Sequence, residues 1–178
     1  MQPWKTLERK LILHHSKWLS VEDHTLQLPD GTQIEQWPWI ISPDYVNVVV
    51  QEIGGAFICF RQTKYAVEGI SLAPVGGYLE PGEEPLACAK RELREELGCE
   101  AKEWIPLGSF PCDGNHGNGT AHLFYARGAE KTGEIFADDL EEQEIVRLTR
   151  SELRSALVNK EFKVLSWTTA VALALMCE

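Results

Sequence analysis

Nowhere in this chain do about 20 apolar residues run uninterrupted, the length a membrane span needs. The first residues lack a basic flank, an apolar run and a small-residue cleavage site, so no secretory signal is expected. Bases are scarce: 17 Lys and Arg face 27 Asp and Glu, a formal net charge of −10. Such a chain is poorly suited to holding nucleic acid through its phosphates. The five cysteines (Cys59, Cys88, Cys99, Cys112, Cys177) are odd in number and never spaced as C-x-x-C. They read as free thiols in a reducing compartment, which points to the cytoplasm. His14, His15, His24, His116 and His122 form no zinc-ligand pattern with them. Internal repeats and low-complexity tracts are absent too.

What is present is a composition suited to a hydrophobic core: 178 residues, 44% of them apolar and 25% charged. The acidity is concentrated. Glu80–Glu103 holds eight acids and four bases (Lys90, Arg91, Arg94, Lys102), and Glu134–Glu144 holds six acids and no base. Those two windows carry the entire net charge, and the rest of the chain is balanced at 13 of each sign. Acid runs are commonly solvated faces, but carboxylates also gather to bind hard divalent cations through oxygen.

Turn residues and apolar periodicity organise the chain as α/β, a mixed sheet flanked by helices. Pro29-Asp30-Gly31 separates two strand-like runs, Trp18–Leu28 and Thr32–Ile41, as an antiparallel hairpin. Tyr45–Val50 and Ala56–Phe60 make a second, better-buried hairpin around Gly54-Gly55. Ser71–Val75 reads as a short strand ending at Gly76-Gly77. Glu84–Leu97 is a helix with Leu86, Ala89, Leu93 and Leu97 on its apolar stripe, Pro85 in its first turn and Gly98 as its stop. Further strands are expected around Trp104–Phe110, Thr120–Ala126 and Glu144–Thr149. Ser151 is expected to cap a short helix to Val158, and Trp167–Met176 forms a final apolar helix. Residues 1–42 read as an added hairpin module before a main domain at 43–178.

From Gly77 the sequence runs five residues to Glu83, seven more to Arg91, then Arg91-Glu92-Leu93-Arg94-Glu95-Glu96-Leu97-Gly98-Cys99. Over 23 residues this resembles the Nudix box, Gly-x5-Glu-x7-Arg-Glu-U-x-Glu-Glu-x-Gly-U, where U is bulky and aliphatic. Only the last position departs, and Cys99 there behaves as a small hydrophobe. Glu92, Glu95 and Glu96 lie at i, i+3 and i+4 and share a helix face, which needs a compensating cation. Gly76 and Gly77 allow close backbone approach.

The likeness extends to the ADP-ribose and ADP-sugar pyrophosphatase group of that family. Phe60-Arg61-Gln62-Thr63-Lys64-Tyr65 is similar to its Arg-Gln-x-Arg-Tyr segment. His122-Leu123-Phe124-Tyr125-Ala126 is similar to its His-x-Phe-x-Ala strand, and Asp138-Asp139-Leu140-Glu141-Glu142 to its acidic loop. The resemblance implies a Nudix-type α/β/α sandwich that hydrolyses a nucleoside diphosphate derivative with Mg²⁺, or Mn²⁺ in its place. It implies that Gly76, Glu92 and Glu96 bind metal, with Glu95 a bridging ligand or a partner of the ligands. Glu83 would hold Arg91 and the helix start. Glu141 or Glu142 would join the metal or activate water, with Asp139 a third candidate. Arg61, Lys64 and Gly77 would meet the diphosphate.

Three departures separate the chain from the group's usual pattern: Ala73 for an acidic residue, Lys64 for Arg, and a Pro111–Gly119 loop lacking the Ser/Asn-Pro-Gly form. A lysine there cannot bind phosphate bidentately. Trp37 and His116 are substrate-contact candidates. Trp37 and Trp39 also read as core or interface packing, and His116 as a solvated loop residue. Trp37, Trp39 and Ile41, read as exposed on a two-stranded hairpin, imply a homodimer in which residues 17–41 pack on the partner. The alternatives are cleavage of GDP-mannose or a dinucleotide, and a nucleotide-sensing module without catalysis. The last fits poorly with an intact set of box glutamates.

Overall fold

The structure is a computed structural model that describes residues 1–136 and 142–177. The chain forms two compact units, Met1–Asp44 with Phe110–Ala121 and Tyr45–Ser109 with His122–Glu178.

In the first unit, β1 (Lys5–Ser16), β2 (Leu19–Gln27) and β3 (Gln33–Ile41) form an antiparallel meander. The expected hairpin is β2–β3. Its turn is closed by Gly31 at φ 90° and by the Thr32 N–H donating to Asp30 Oδ1 at 2.9 Å. β1 was not expected. Its outer position leaves nearly every residue exposed, Leu11 at 58% among them. Trp37 and Trp39 are half-buried rather than exposed: Trp37 lies against Trp4 and His116, and Trp39 is stacked on the buried His24.

The second unit is built around β4 (Tyr45–Glu52), whose Val46, Val48 and Val50 are fully buried while Asn47 and Val49 on the alternate face are nearly so. A strand covered on both faces needs an unbroken apolar run, which this one has. The covers are α1 (Pro85–Leu97) and α3 (Leu165–Met176), both packed on β4. β5 (Phe57–Lys64) pairs antiparallel with β4 and also with β6 (Val67–Ala73), while β7 (Val75–Tyr78) pairs with β4. The single strand expected at Ser71–Val75 is thus two, divided at Pro74, which has no N–H to give a ladder. β8 (Cys99–Asp113) and β9 (Gly117–Lys131) run longer than expected and divide between the units. β10 (Gln143–Leu148) pairs antiparallel with β5. The α/β class is as expected.

α2 (Arg150–Val158) is capped by Thr149, not Ser151. The Thr149 side chain accepts from the Glu152 N–H, and Glu152 Oε2 accepts from the Thr149 N–H at 2.8 Å. This reciprocal capping box outranks the nearer hydroxyl of Ser151.

Candidate active site

Pro85 at the first helical position sets the start of α1, and Gly98 at φ 62° ends it, its N–H donating to the carbonyls of Leu93 and Arg94. Cys88, Ala89, Leu93 and Leu97 face the core. Glu92 and Glu96 adjoin that stripe and are themselves more than nine-tenths buried. Carboxylates so placed lose hydration and require compensation.

β7 brings two glycines to them. Through pairing with β4, Gly76 lies opposite Asn47 and Gly77 opposite Val46. The Gly76 N–H approaches Glu96 Oε2 at 3.4 Å. A Cβ on Gly77 would fall 2.0 Å from Glu92 Oε1, so the carboxylate occupies the space any side chain there would take. One on Gly76 would strike the Val46 carbonyl at 2.5 Å.

Arg91 binds the cluster together. Its Nε and Nη2 donate to the two oxygens of Glu83 at 3.0 Å each, and its Nη1 to Glu92 at 2.7 Å and Glu95 at 2.9 Å. Nη2 also reaches the Tyr78 carbonyl at 3.2 Å. This fork holds the Glu83 carboxyl down at about 2, and the carboxylates around Arg91 raise its own pKa further. Glu83 also accepts from the Glu80 N–H at 3.0 Å, so it fastens the approach to the helix. Cys88, beneath Arg91, has its thiol pushed up to about 12, first by burial and then by Glu83. It is therefore no nucleophile at neutral pH.

Glu83, Glu92 and Glu95 set three carboxylates around the single charge of Arg91, and Glu96 meets the Gly76 N–H. Among the described residues no three His, Cys, Asp or Glu side chains form a ready metal-ligand group. Two buried carboxylates beside a pair of close-packed glycines are oxygen-donor chemistry that a hard divalent cation takes.

The remaining candidates are dispersed. Arg61 on β5 faces Glu144 on β10, with Nη1 to Oε2 at 2.9 Å. Lys64 lies at the end of β5, and Glu142 is exposed just before β10. Asp139 and Glu141 lie outside the described residues. Trp37 and His116 belong to the first unit, with ring centroids 5.6 Å apart and planes at 10°. Trp37 Nε1 donates to the Asn115 carbonyl at 2.8 Å, and Asp113 accepts from the His116 N–H at 2.9 Å. The Arg61–Glu144 pair, 83 residues apart in sequence, was not anticipated.

The glutamates of α1 thus meet a double glycine beneath an arginine fork. The NUDIX domain model matches residues 42–168, and the chain belongs to the Nudix family. It is 32% identical over 157 residues to the methanol dehydrogenase activator of Bacillus methanolicus, covering 86% of this chain and 81% of that one. It is 28% identical over 157 residues to the ADP-ribose pyrophosphatase of Bacillus subtilis (strain 168), covering 86% and 83%. In fold it is similar to the crystal structure of an ADP compounds hydrolase, at TM-score 0.80 and 20% identity, over 97% of this chain and 92% of that one.

Proposed function

We propose that the protein hydrolyses the pyrophosphate bond of ADP-ribose or an ADP-sugar, releasing a nucleoside monophosphate and a sugar phosphate. The observation that carries this reading is the buried Glu92–Glu96 pair against Gly76-Gly77. Glu92, Glu96 and the Gly76 carbonyl hold Mg²⁺, or Mn²⁺ in its place, with Glu95 joining or orienting them. When bound, the ion supplies charge neutralisation at the scissile phosphates. Arg61 and Lys64 clamp the diphosphate, which lies over Gly77. Glu141 or Glu142 takes the proton of the attacking water, whose oxygen bonds to phosphorus as the bridging P–O bond breaks.

A hydrolase domain from residue 43, preceded by an extension at 1–42, suits this reading. A homodimer does too, on a footing different from Trp37 and Trp39. The exposed apolar residues of β1 (Leu7, Leu11, Ile12, Leu13) on an edge strand favour a second copy as cover. Five cysteines outside any disulfide support a cytoplasmic setting, and no described helix is long and apolar enough to cross a membrane.

The test is a panel of ADP-ribose, ADP-sugars, GDP-mannose, dinucleotides and nucleoside triphosphates, scored by initial rate with and without Mg²⁺. The fastest rates should fall on ADP-ribose or ADP-sugars and vanish with chelator. A faster rate on GDP-mannose or a dinucleotide overturns the substrate, and no metal-dependent rate on any member overturns the reaction. The 32% relative supplies a second reading, activation of a methanol dehydrogenase. Adding the protein to such an enzyme, beside its Glu92→Gln variant, tests whether activation occurs and needs the box.

A further inference from the structure

Three of the four bases in the first acidic window, all but Arg91, converge at a place the hydrolytic reading does not use. Lys90 and Arg94 are one helical turn apart on α1, each about 160° around the helix from Glu92. Together with Lys102 on β8 they line a cavity of about 290 Å³. Its floor includes the buried Leu93 and Cys99, and Trp104 forms part of its wall. Trp104 is held edge-to-face by Phe124, ring centroids 6.4 Å apart and planes at 76°, and stays half-buried. Glu100 is the lone acid in the lining. In a chain of net charge −10, this is a local excess of cations beside a fixed indole.

Each base has an ordinary structural use. Arg94 lies in the last turn of α1, where a cation complements the helix dipole, and Lys102 Nζ meets Glu130 at 3.1 Å. Neither use requires Lys90, nor an aromatic wall. That Lys102 pair is largely exposed and screened, so it yields readily to a more strongly charged anion. The volume lies at the lower limit for small-molecule sites, which suits one ring and one phosphate rather than a two-part nucleotide.

We propose that this cavity, on the side of α1 turned away from Glu92, binds a nucleoside monophosphate, a planar base joined through its sugar to one phosphate. The phosphate lies among Lys90, Arg94 and Lys102, and the base against Trp104. Ring stacking on an indole tolerates any base, while three cations select for the phosphate. The site is separate from the proposed hydrolysis and stands or falls independently of it.

The test uses the full chain in excess chelator, which disables phosphate binding through metal at the box. AMP is titrated while tryptophan fluorescence is followed, with adenosine and inorganic phosphate as separate arms. Saturable quenching is expected with a Kd below about 1 mM, at least tenfold tighter than either fragment. Trp104→Phe should abolish most of the quench. Lys90→Gln with Arg94→Gln should raise Kd at least tenfold without changing the hydrolytic rate. Lys102→Gln, at an exposed side chain, should raise it severalfold and guards against misfolding of the double variant. An unaltered quench in Trp104→Phe, an unchanged Kd in both charge variants, or equal affinity for inorganic phosphate would each overturn the proposal.

Discussion

β4 and β1 are both strands rich in aliphatic residues, yet the first is almost wholly buried and the second almost wholly exposed. The difference lies in what covers them. β4 has strand neighbours along it and two helices packed on it, so Val46, Val48 and Val50 are fully shielded. β1 pairs with β2 along one edge only, and its aliphatic residues share the strand with Lys5, Glu8, Arg9 and Lys10. Apolar content alone therefore does not place a strand in a core. The covered strand supports α1 and its carboxylates, while the uncovered one offers an edge.

The contrast breaks first at catalysis. Glu92→Gln and Glu96→Gln should each cut turnover at saturating Mg²⁺ by about a thousandfold or more, with the fold retained. Without metal the melting temperature should hold or rise, because a buried like charge has gone. Turnover near wild type in either variant would sink the metal assignment. The next effect is on stability. Leu93→Ala, at a fully buried position, should cost about 2–5 kcal/mol in urea unfolding. Leu11→Ala on β1 should cost the protomer less than about 0.5 kcal/mol but shift a dimer toward monomer in sedimentation. A large protomer loss at Leu11 would mean that β1 belongs to a core after all.

A pH-dependent effect concerns Glu83, held at about 2 by Arg91 against an ordinary 4.5. A carboxyl depressed on folding adds stability that is fully present above pH 4.5 and is lost as pH falls toward 2. Glu83→Gln should therefore destabilise by about 2–3 kcal/mol at pH 7, and the gap should close as pH falls through that window. A gap of the same size at pH 7 and pH 2.5 would show that the Arg91 fork contributes little.

The box was legible because its chemistry is written in residue identity at fixed spacing, and α1 follows from Pro85, the apolar stripe and Gly98. β1 was not legible. Bulges at Thr6/Glu8, Leu11/Leu13 and His14/Ser16 break the alternation that marks a strand. The Thr149 cap could have been read, since Glu152 stands three residues after it, but Ser151 lies closer to the apolar run. The pairing of Arg61 with Glu144 depends on strand neighbours distant in sequence, and no local pattern encodes it.

The ends of α1 are fastened differently from its middle. The Gly98 carbonyl accepts from the Thr132 and Gly133 N–H groups at 2.8 and 3.0 Å, and the Phe136 N–H donates to the Glu95 carbonyl at 2.9 Å. Pro85 and the Glu83–Arg91 fork fix the other end. With both ends held, the number of residues between them becomes an angular setting. Each residue turns the helix by about 100°, so one inserted between Ala89 and Glu92 would swing the carboxylates away from Gly77 or the apolar stripe away from β4. Point substitutions along the exposed side are tolerable in such a helix, whereas a change of length by a single residue is not.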